Sequence, residues 1–361
     1  MLTPKTEDDL AEAIRSAKGP LAIQGGGTRG VKIEGTALTT SAISGITTYE
    51  PGALTLVAKA GTPVTEIEAT LAAENQILPF EPMDSRTLLG TSGTPTIGGI
   101  VATNTSGPRR VQTGACRDYL LGVRFVDGHG DIIQNGGRVM KNVTGYDLAR
   151  LQCGARGTLG VLTEVGFKIL PKPEYTATLK FKNLDGAATA DLFTSAMKTP
   201  YEVTGAARMP GTKGTTLLRL EGFEESVKYR AKALLEFLGS SAEIETNPDK
   251  NAEIWTAVRD VTPFADHNGD IWSLSIKSTE FGRLPLSLDD MLVDWACGRV
   301  WLKSPKNTNV RALLNDISGH ATLIRGKGHH SHPEAEPLAK LAGALRQKYD
   351  PRGILNPGLM G

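Results

Sequence analysis

Glycine is concentrated in one half of this chain, where it forms three separate glycine-rich segments beside predicted strands. Of the 41 glycines in the 361 residues, 25 fall within residues 1–172. The segments read QGGGT (24–28), TIGGIVATNTSG (96–107) and GTLGVLTE (157–164). Glycine lets consecutive backbone N–H groups converge on an anion without obstruction by a side chain. The pattern therefore favours several loops that surround one ligand, and three independent turns are the alternative.

Composition places the chain among ordinary globular proteins and excludes several classes. The net charge is +1, which gives no broad basic surface for nucleic acid. No apolar run reaches the ~18 residues of a membrane helix, and the N-terminus has no apolar segment typical of a secretory signal. Cys116, Cys153 and Cys297 are widely spaced, so we expect neither a disulfide framework nor a zinc or iron–sulfur site. This cysteine usage predicts a reducing, cytoplasmic compartment.

A change in composition near residue 172 predicts a domain boundary. All four tryptophans follow that point, and ILPKPEY (169–175) lies between the glycine-rich and tryptophan-containing parts. Strand-like and helical runs alternate after the boundary. This alternation predicts an α+β domain with a mixed or antiparallel sheet and helices on one face.

The first glycine segment also contains G-x-G-x-x-G, the spacing of nicotinamide dinucleotide sites. That fingerprint requires a helix directly after the glycines, with its N-terminus at the pyrophosphate. Here VKIEGTALTT (31–40) follows, which is β-branched and lacks helical periodicity. Glu50 lies where a ribose-binding acid would be sought, but it precedes Pro51-Gly52 and so begins a turn. The sequence argues against a nicotinamide enzyme.

Four segments resemble the PCMH-type FAD-binding domain shared by the vanillyl-alcohol oxidase and D-lactate dehydrogenase flavoproteins. QGGGT is similar to their first flavin loop, R-G-G-G-T, with Gln24 in place of arginine. The other two glycine segments resemble the second loop and the G-T-L-G-I-x-T-E segment. YDPRGILNPG (349–358) resembles the tail that returns to the FAD domain. The resemblance implies a two-subdomain FAD-binding domain over 1–172, a cap or substrate domain over 173–332, and a C-terminal return over 333–361.

Further segments are similar to the FAD-binding E subunits of bacterial glycolate oxidases. They are GPRR (107–110), MKNVTGYDLARL (140–151), LTEVGFKILPKP (162–173), IWTAVRD (254–260) and GHATLIRG (319–326). This resemblance implies flavin-dependent oxidation of glycolate or a short 2-hydroxy acid to the 2-oxo acid. It also implies partners, namely a larger catalytic flavoprotein subunit and an iron–sulfur subunit, in a peripheral assembly on the cytoplasmic side of the membrane.

Loop chemistry and resemblance together predict the residues that contact FAD. They are Gln24, Gly25, Gly26, Gly27, Thr28, Thr94, Thr96, Gly98, Gly99, Thr103, Asn104, Ser106, Gly107, Arg110, Gly157, Thr158, Val161 and Asn356. Gly27-Thr28 stands where some relatives carry a flavin-linked histidine, and no cysteine is adjacent. We therefore expect FAD to be held noncovalently.

Oxidation of a hydroxy acid needs a base for the hydroxyl proton and cations for the carboxylate. Arg259 and Arg325 are candidates for bidentate carboxylate binding, and His320 is a candidate to face the flavin. Arg109 and Arg110 could serve the carboxylate or the cofactor phosphate. We predict no metal site, since HHSH (329–332) has no fixed acidic or cysteine partner nearby and is interpreted as an exposed loop.

Two other functions remain open at this point. The H-x-G-D-G-N segment of the larger flavoprotein relatives is absent, and DHNGD (266–270) is interpreted as a solvated loop. The absence favours a non-catalytic FAD-binding assembly or electron-relay subunit, although the retained flavin loops argue against a purely structural role. A solitary FAD oxidase of another alcohol or sugar is the third reading, because this domain hosts many chemistries.

Overall fold

The chain forms two units, and the first is assembled from three separate stretches of sequence. A computed structural model describes residues 1–137, 145–211, 213–314 and 316–360. Residues 1–106, 115–172 and 333–361 form the first unit; residues 107–114 and 173–332 form the second. The beginning of MKNVTGYDLARL lies outside the described residues. Within them, no helix has the length and apolar character needed to cross a bilayer.

The first unit contains short helices and two main groups of strands. Its helices are α1 (Glu7–Ser16), α2 (Val64–Ala73), α3 (Arg86–Leu89), α4 (Ile97–Ala102), α6 (Cys116–Tyr119), α7 (Leu148–Gln152) and α12 (Glu336–Tyr349). Helix α5 (Arg110–Thr113) belongs to the second unit. Its strands are β1 (Leu21–Gln24), β2 (Thr36–Thr39), β3 (Ile46–Glu50), β4 (Thr55–Lys59), β5 (Gln76–Ile77), β6 (Leu120–Val126), β7 (Ile132–Gly136), β8 (Val161–Lys168) and β9 (Leu170–Pro171).

Two hydrophobic clusters divide the first unit into subdomains. One cluster joins α1, the parallel pair β1–β2 and the C-terminal tail through residues such as Leu10, Leu38 and Ile354. The other lies against the antiparallel sheet β3-β4-β8-β6-β7 and includes Ile67 of α2 and Phe167 of β8. Each glycine segment follows or precedes a strand or helix that is anchored in one of these clusters. The loops are therefore carried on rigid elements.

The C-terminal tail completes the smaller cluster by pairing with β1. The amide of Leu21 donates to the carbonyl of Ile354 (2.8 Å), and the amide of Asn356 donates to the carbonyl of Leu21 (3.1 Å). Arg352 fixes the tail from the other side, because its guanidinium donates to the carbonyls of Ile14 (2.6 Å) and Gly128 (2.9 Å). These bonds hold Asn356 directly beside the strand that leads into the first glycine segment.

Within the described residues, the second unit is an eight-stranded sheet with five α-helices. Its helices are α5 (Arg110–Thr113), α8 (Gly186–Met197), α9 (Glu224–Leu238), α10 (Pro248–Asp260) and the short α11 (Val310–Leu314). Its strands are β10 (Tyr175–Phe181), β11 (Val203–Arg208), β12 (Thr216–Gly222), β13 (Glu243–Glu245), β14 (Asp270–Ile276), β15 (Met291–Asp294), β16 (Arg299–Ser304) and β17 (Gly319–Arg325). The strand order is β13-β10-β12-β11-β15-β16-β14-β17, and every pairing is antiparallel.

Helices cover both faces of this sheet, whereas the sequence predicted them on one. Leu179 of β10 lies in a cluster with residues of α8 and α9. Its neighbour Thr178 points to the opposite face, where it bonds Asn251 (2.5 Å) and the indole N–H of Trp255 (2.9 Å) on α10. All residues of β11 are buried, which is the pattern of a strand covered on both sides. The α+β fold class itself is confirmed.

The α10-covered face of β12 carries a buried ion-pair cluster around Glu221. Its carboxylate accepts from the guanidinium of Arg109 at 2.7 Å and lies 3.3 Å from that of Arg219. All three side chains are less than a tenth exposed. Arg109 lies at the start of α5, so this cluster helps to fix residues 107–114 in the second unit.

Loss of this shared carboxylate should destabilise the second unit strongly. Glu221→Gln removes the negative charge that Arg109 and Arg219 share, and breaking a buried ion pair costs about 3–5 kcal/mol. Urea unfolding followed by tryptophan fluorescence measures this, because all four tryptophans lie in the second unit.

The matched control is Glu224→Gln on α9, which removes one partner of an exposed pair with Lys228. Exposed pairs contribute little to stability, so this variant should unfold near the wild-type midpoint. Equal midpoints for the two variants would contradict a structural role for the buried cluster.

Candidate cofactor site

A cavity in the first unit is lined by all three glycine segments and by the C-terminal tail. The space between its lining atoms, including the part that is open to solvent, is about 1010 Å³. Ten of the predicted FAD contacts line it: Gln24, Gly25, Gly27, Thr28, Gly98, Gly99, Thr103, Gly157, Val161 and Asn356. Apolar side chains, among them Ile23, Ile33 and Leu162, form much of the remaining wall.

Glycine is required at residues 25 and 26 because the first loop lies directly on residues 93–96. A Cβ on Gly26 would lie 1.6 Å from the carbonyl oxygen of Thr94, and one on Gly25 would lie 2.2 Å from Oγ1 of Thr96. The contact is reciprocal, since a Cβ on Gly93 would lie 1.7 Å from the carbonyl oxygen of Gly26. No side chain fits between these two backbones.

The first loop leaves its backbone donors available to a ligand. Within the described part of the chain, the N–H groups of Gly25, Gly26, Gly27 and Thr28 donate to no protein acceptor. Gly27 adopts φ +72°, a left-handed conformation that glycine accepts without strain. Consecutive unpaired amides in such a turn form a concavity that binds anions.

The third segment and the tail are joined to each other and to β1 by Asn356. Its Oδ1 accepts from the amide of Ile23 (2.7 Å), and its Nδ2 donates to the carbonyl of Arg156 (2.8 Å). Asn356 is 2% exposed and has φ +47°. Arg156 is also left-handed, at φ +54°, and its amide donates to the carbonyl of Ala102 (2.8 Å). Asn356 thus links the first and third segments at the cavity wall.

Two arginines give the cavity a positive charge that sequence reasoning missed. Arg29 and Arg156 line it, and no acidic side chain is found among the described lining residues. Burial and, to a smaller extent, the nearby charge of Arg156 lower the pKa of Arg29 to about 10, against the opposing effect of Asp84. Burial also lowers the pKa of Arg156. The site therefore holds two positive charges in a partly dehydrated place.

Four predicted contacts support the loops from behind the cavity wall. Thr96 caps α4 by accepting from the amide of Gly99 (3.4 Å). Asn104 accepts from the amide of Arg117 (3.2 Å), and Ser106 accepts from the amide of Cys116 (3.0 Å). Thr158 donates to the carbonyl of Ala155 (2.7 Å). The backbone of Gly26 and Thr94, as described above, forms the contact between the first two loops.

Gly107 and Arg110 lie in the second unit. The carbonyl of Gly107 accepts from the indole N–H of Trp295 (2.9 Å), and the guanidinium of Arg110 lies 4.3 Å from the centroid of the Trp295 ring. Neither residue is among the described residues that line the cavity of the first unit.

The three predicted catalytic residues are spread over the second unit. Arg259 makes two hydrogen bonds to the carboxylate of the adjacent Asp260 (2.8 and 2.7 Å). Arg325 donates to backbone carbonyls, including those of Ala265 (3.0 Å) and Phe264 (3.2 Å). His320 is exposed on β17, and its pKa is lowered by partial burial and by the charges of His332 and Arg110. Its imidazole is therefore mostly neutral at pH 7.

The side chains of two of the three histidines of HHSH have backbone partners. Nδ1 of His330 lies 2.8 Å from the carbonyl of Leu323, and Nδ1 of His332 accepts from the amide of Ala321 (3.3 Å). Arg311 holds the segment by donating to the carbonyls of residues 329–331. No group of three potential metal-ligating side chains occurs in the described ranges.

The cavity suits a large ligand that carries a diphosphate and an apolar ring system. The open amides of residues 25–28 and the charges of Arg29 and Arg156 match an anionic group, and the apolar wall matches a fused ring. FAD has this chemistry. The residues that would hold it come from the first loop, the N-terminal part of α4, the third segment and the tail.

Comparison with known proteins gives the same cofactor. Residues 1–136 match the FAD binding domain family. Across 98% of its length the chain is 34% identical to glycolate oxidase subunit GlcE of Escherichia coli strain K12, and the match covers 95% of that protein. It is also 29% identical to glycolate oxidase subunit GlcD of Bacillus subtilis strain 168, over 87% of this chain and 74% of that protein.

A solved structure of alkyldihydroxyacetonephosphate synthase shares the fold. It superposes with a TM-score of 0.71 over 98% of this chain and 76% of that one, at 14% identity. This likeness concerns the fold alone. The near full-length match to the Escherichia coli subunit decides the family: the chain belongs to the FAD-binding oxidoreductase family of the glycolate oxidase E subunit, and FAD is its cofactor.

Proposed function

We propose that this chain is the FAD-binding subunit of a glycolate-oxidase-type complex that oxidises glycolate or a short 2-hydroxy acid to the 2-oxo acid. The observation that carries the proposal is the near full-length similarity to the Escherichia coli subunit, combined with a cavity that retains every flavin loop. The partners in the proposal are a catalytic flavoprotein subunit and an iron–sulfur subunit. Through them the complex would associate peripherally with the membrane.

The two units have separate tasks in this proposal. Residues 1–172 and 333–361, apart from 107–114, hold FAD, and residues 173–332 form the cap that contributes to substrate binding. When bound, FAD supplies the acceptor for the two electrons removed from the hydroxyl-bearing carbon. The first unit orients the cofactor through backbone amides and excludes water with its apolar wall. The electrons then pass to another subunit.

His320 is the residue that we propose as the base in the cap. Its exposed imidazole with a lowered pKa is able to accept the hydroxyl proton at neutral pH. Arg259 and Arg325 remain proposals for carboxylate binding, and each would have to exchange part of its present hydrogen bonding for the substrate.

FAD binding should depend on the absence of a side chain at residue 26. In Gly26→Ala the new methyl group meets the Thr94 carbonyl, and overpacking of this kind costs about 1–3 kcal/mol. The dissociation constant for FAD, measured by flavin fluorescence, should rise about 5- to 100-fold. The control is Gly52→Ala, at an exposed glycine where a Cβ meets nothing within 4 Å. Equal FAD affinity of the two variants would contradict the loop contact.

The flavin should be released by acid precipitation. No histidine or cysteine lines the cavity in the part of the chain that the structure describes, so we propose noncovalent binding. The yellow colour should therefore appear in the supernatant after precipitation and centrifugation. A yellow pellet that survives washing would show a covalent bond instead.

Anaerobic addition of glycolate to the assembled complex tests the proposed reaction. The flavin of this chain should lose its yellow absorbance as it is reduced, and His320→Gln should slow the reduction about 100-fold without changing the FAD dissociation constant. The rate should fall as the pH drops through the lowered pKa of His320, because protonation removes the base.

Three outcomes, two with the complex and one with the isolated chain, decide between the possible roles. A flavin that stays oxidised in the complete complex contradicts both hydroxy-acid oxidation and electron relay by this chain, and favours a non-catalytic assembly role. Full activity of His320→Gln contradicts the assignment of the base. Reduction in the isolated chain, with no other subunit present, rejects a purely structural role.

A further inference from the structure

Arg29 and Arg156 are the charged side chains among the described lining of the cavity, and both are cationic. Arg29 donates to the hydroxyl of Thr105 at 2.6 Å, which is a neutral partner. The Arg156 side chain has no hydrogen bond or ion pair to another described residue. Asp84 acts electrostatically on Arg29, and its carboxylate also accepts hydrogen bonds from the guanidinium of Arg86.

This arrangement of two positive charges is electrostatically unfavourable when the cavity holds no anion. Each guanidinium is partly removed from water, which lowers its pKa, and the Arg156 charge adds repulsion at Arg29. An anion that reaches both guanidiniums would relieve this repulsion. The two positive charges therefore select a ligand with about two negative charges.

The backbone of Arg156, a lining residue of the cavity, is fixed by hydrogen bonds. Its left-handed conformation is held by Ala102 on one side and by Asn356 on the other. Arg29 directly follows the open amides of residues 25–28. An anion in contact with those amides is thus within the part of the cavity that Arg29 borders.

We propose that Arg29 and Arg156 bind the diphosphate of FAD from two sides and are the specificity determinants for the adenosine-diphosphate half of the cofactor. The diphosphate is the only part of oxidised FAD with a net charge at neutral pH, and its two negative charges match the two guanidiniums. This inference concerns cofactor binding only. It stands or fails independently of the substrate proposed above.

The test measures binding of three probes to the full-length apoprotein: FAD, ADP and riboflavin. Arg156→Gln and Arg29→Gln should each weaken the binding of FAD and of ADP by similar factors, about 10- to 100-fold. The reason is that each substitution removes a hydrogen bond from a charged donor. Riboflavin affinity should not change. Arg156→Lys keeps the charge but loses the planar guanidinium with its paired donors. Its affinities for FAD and ADP should therefore lie between those of wild type and Arg156→Gln. Arg150→Gln on α7, an exposed arginine in the same unit, is the control and should match wild type.

Thermal unfolding separates a ligand-binding role from a structural one. Removal of either charge relieves repulsion, so Arg156→Gln apoprotein should unfold at the wild-type temperature or higher, while its stabilisation by FAD should be smaller than that of wild type. A lower unfolding temperature of the apoprotein would indicate a structural arginine and overturn the proposal. Weaker FAD binding with unchanged ADP binding would place the arginine at the flavin ring and also overturn it.

Discussion

The close approach of two backbones, at residues 25–27 and 93–96, is the constraint on which the cofactor site depends. The chain path brings the Thr94 carbonyl so near to Gly26 that only a residue without a Cβ fits. This packing holds the first loop, and the amides of residues 25–28, which donate to no acceptor within the described residues, are left available to a ligand. The same glycines thus close the gap between two loops and keep backbone donors available for an anion. The tail then adds Asn356, which ties the first loop to the third segment.

The arginines of the two units differ in their charged partners. In the second unit, buried arginines have partners on the chain, as Arg109 and Arg219 have in Glu221. In the cavity of the first unit, Arg29 and Arg156 lack an acidic partner among the described lining residues. Two partly buried cations at this place are electrostatically unfavourable, and in our proposal the negative charge of the bound diphosphate offsets this cost. Arg109 and Arg219 therefore stabilise the fold, whereas Arg29 and Arg156 are the arginines that we propose to bind a ligand.

Much of the cofactor site could be predicted from sequence because its chemistry is local. A run such as Gly25-Gly26-Gly27 requires a tight loop, and the spacing of the three segments and the tail resembled one known domain. Arg29 and Arg156 were missed because a single arginine beside glycines looks like a solvated cation, and only the fold shows that both line one cavity. Likewise, no local pattern shows that Gly107 and Arg110 belong to the second unit. Their assignment depends on Trp295, which lies far away in sequence.

Hydrogen exchange of the full-length chain, with and without FAD, tests the central claim most directly. The account predicts that FAD slows exchange together in four peptides, which cover residues 23–30, 96–103, 155–161 and the C-terminal tail around Asn356. The strongest protection should occur at residues 25–28, whose amides have no protein acceptor in the described structure. Protection confined to one of these segments, or located in the second unit alone, would contradict a single cofactor site formed by the glycine loops.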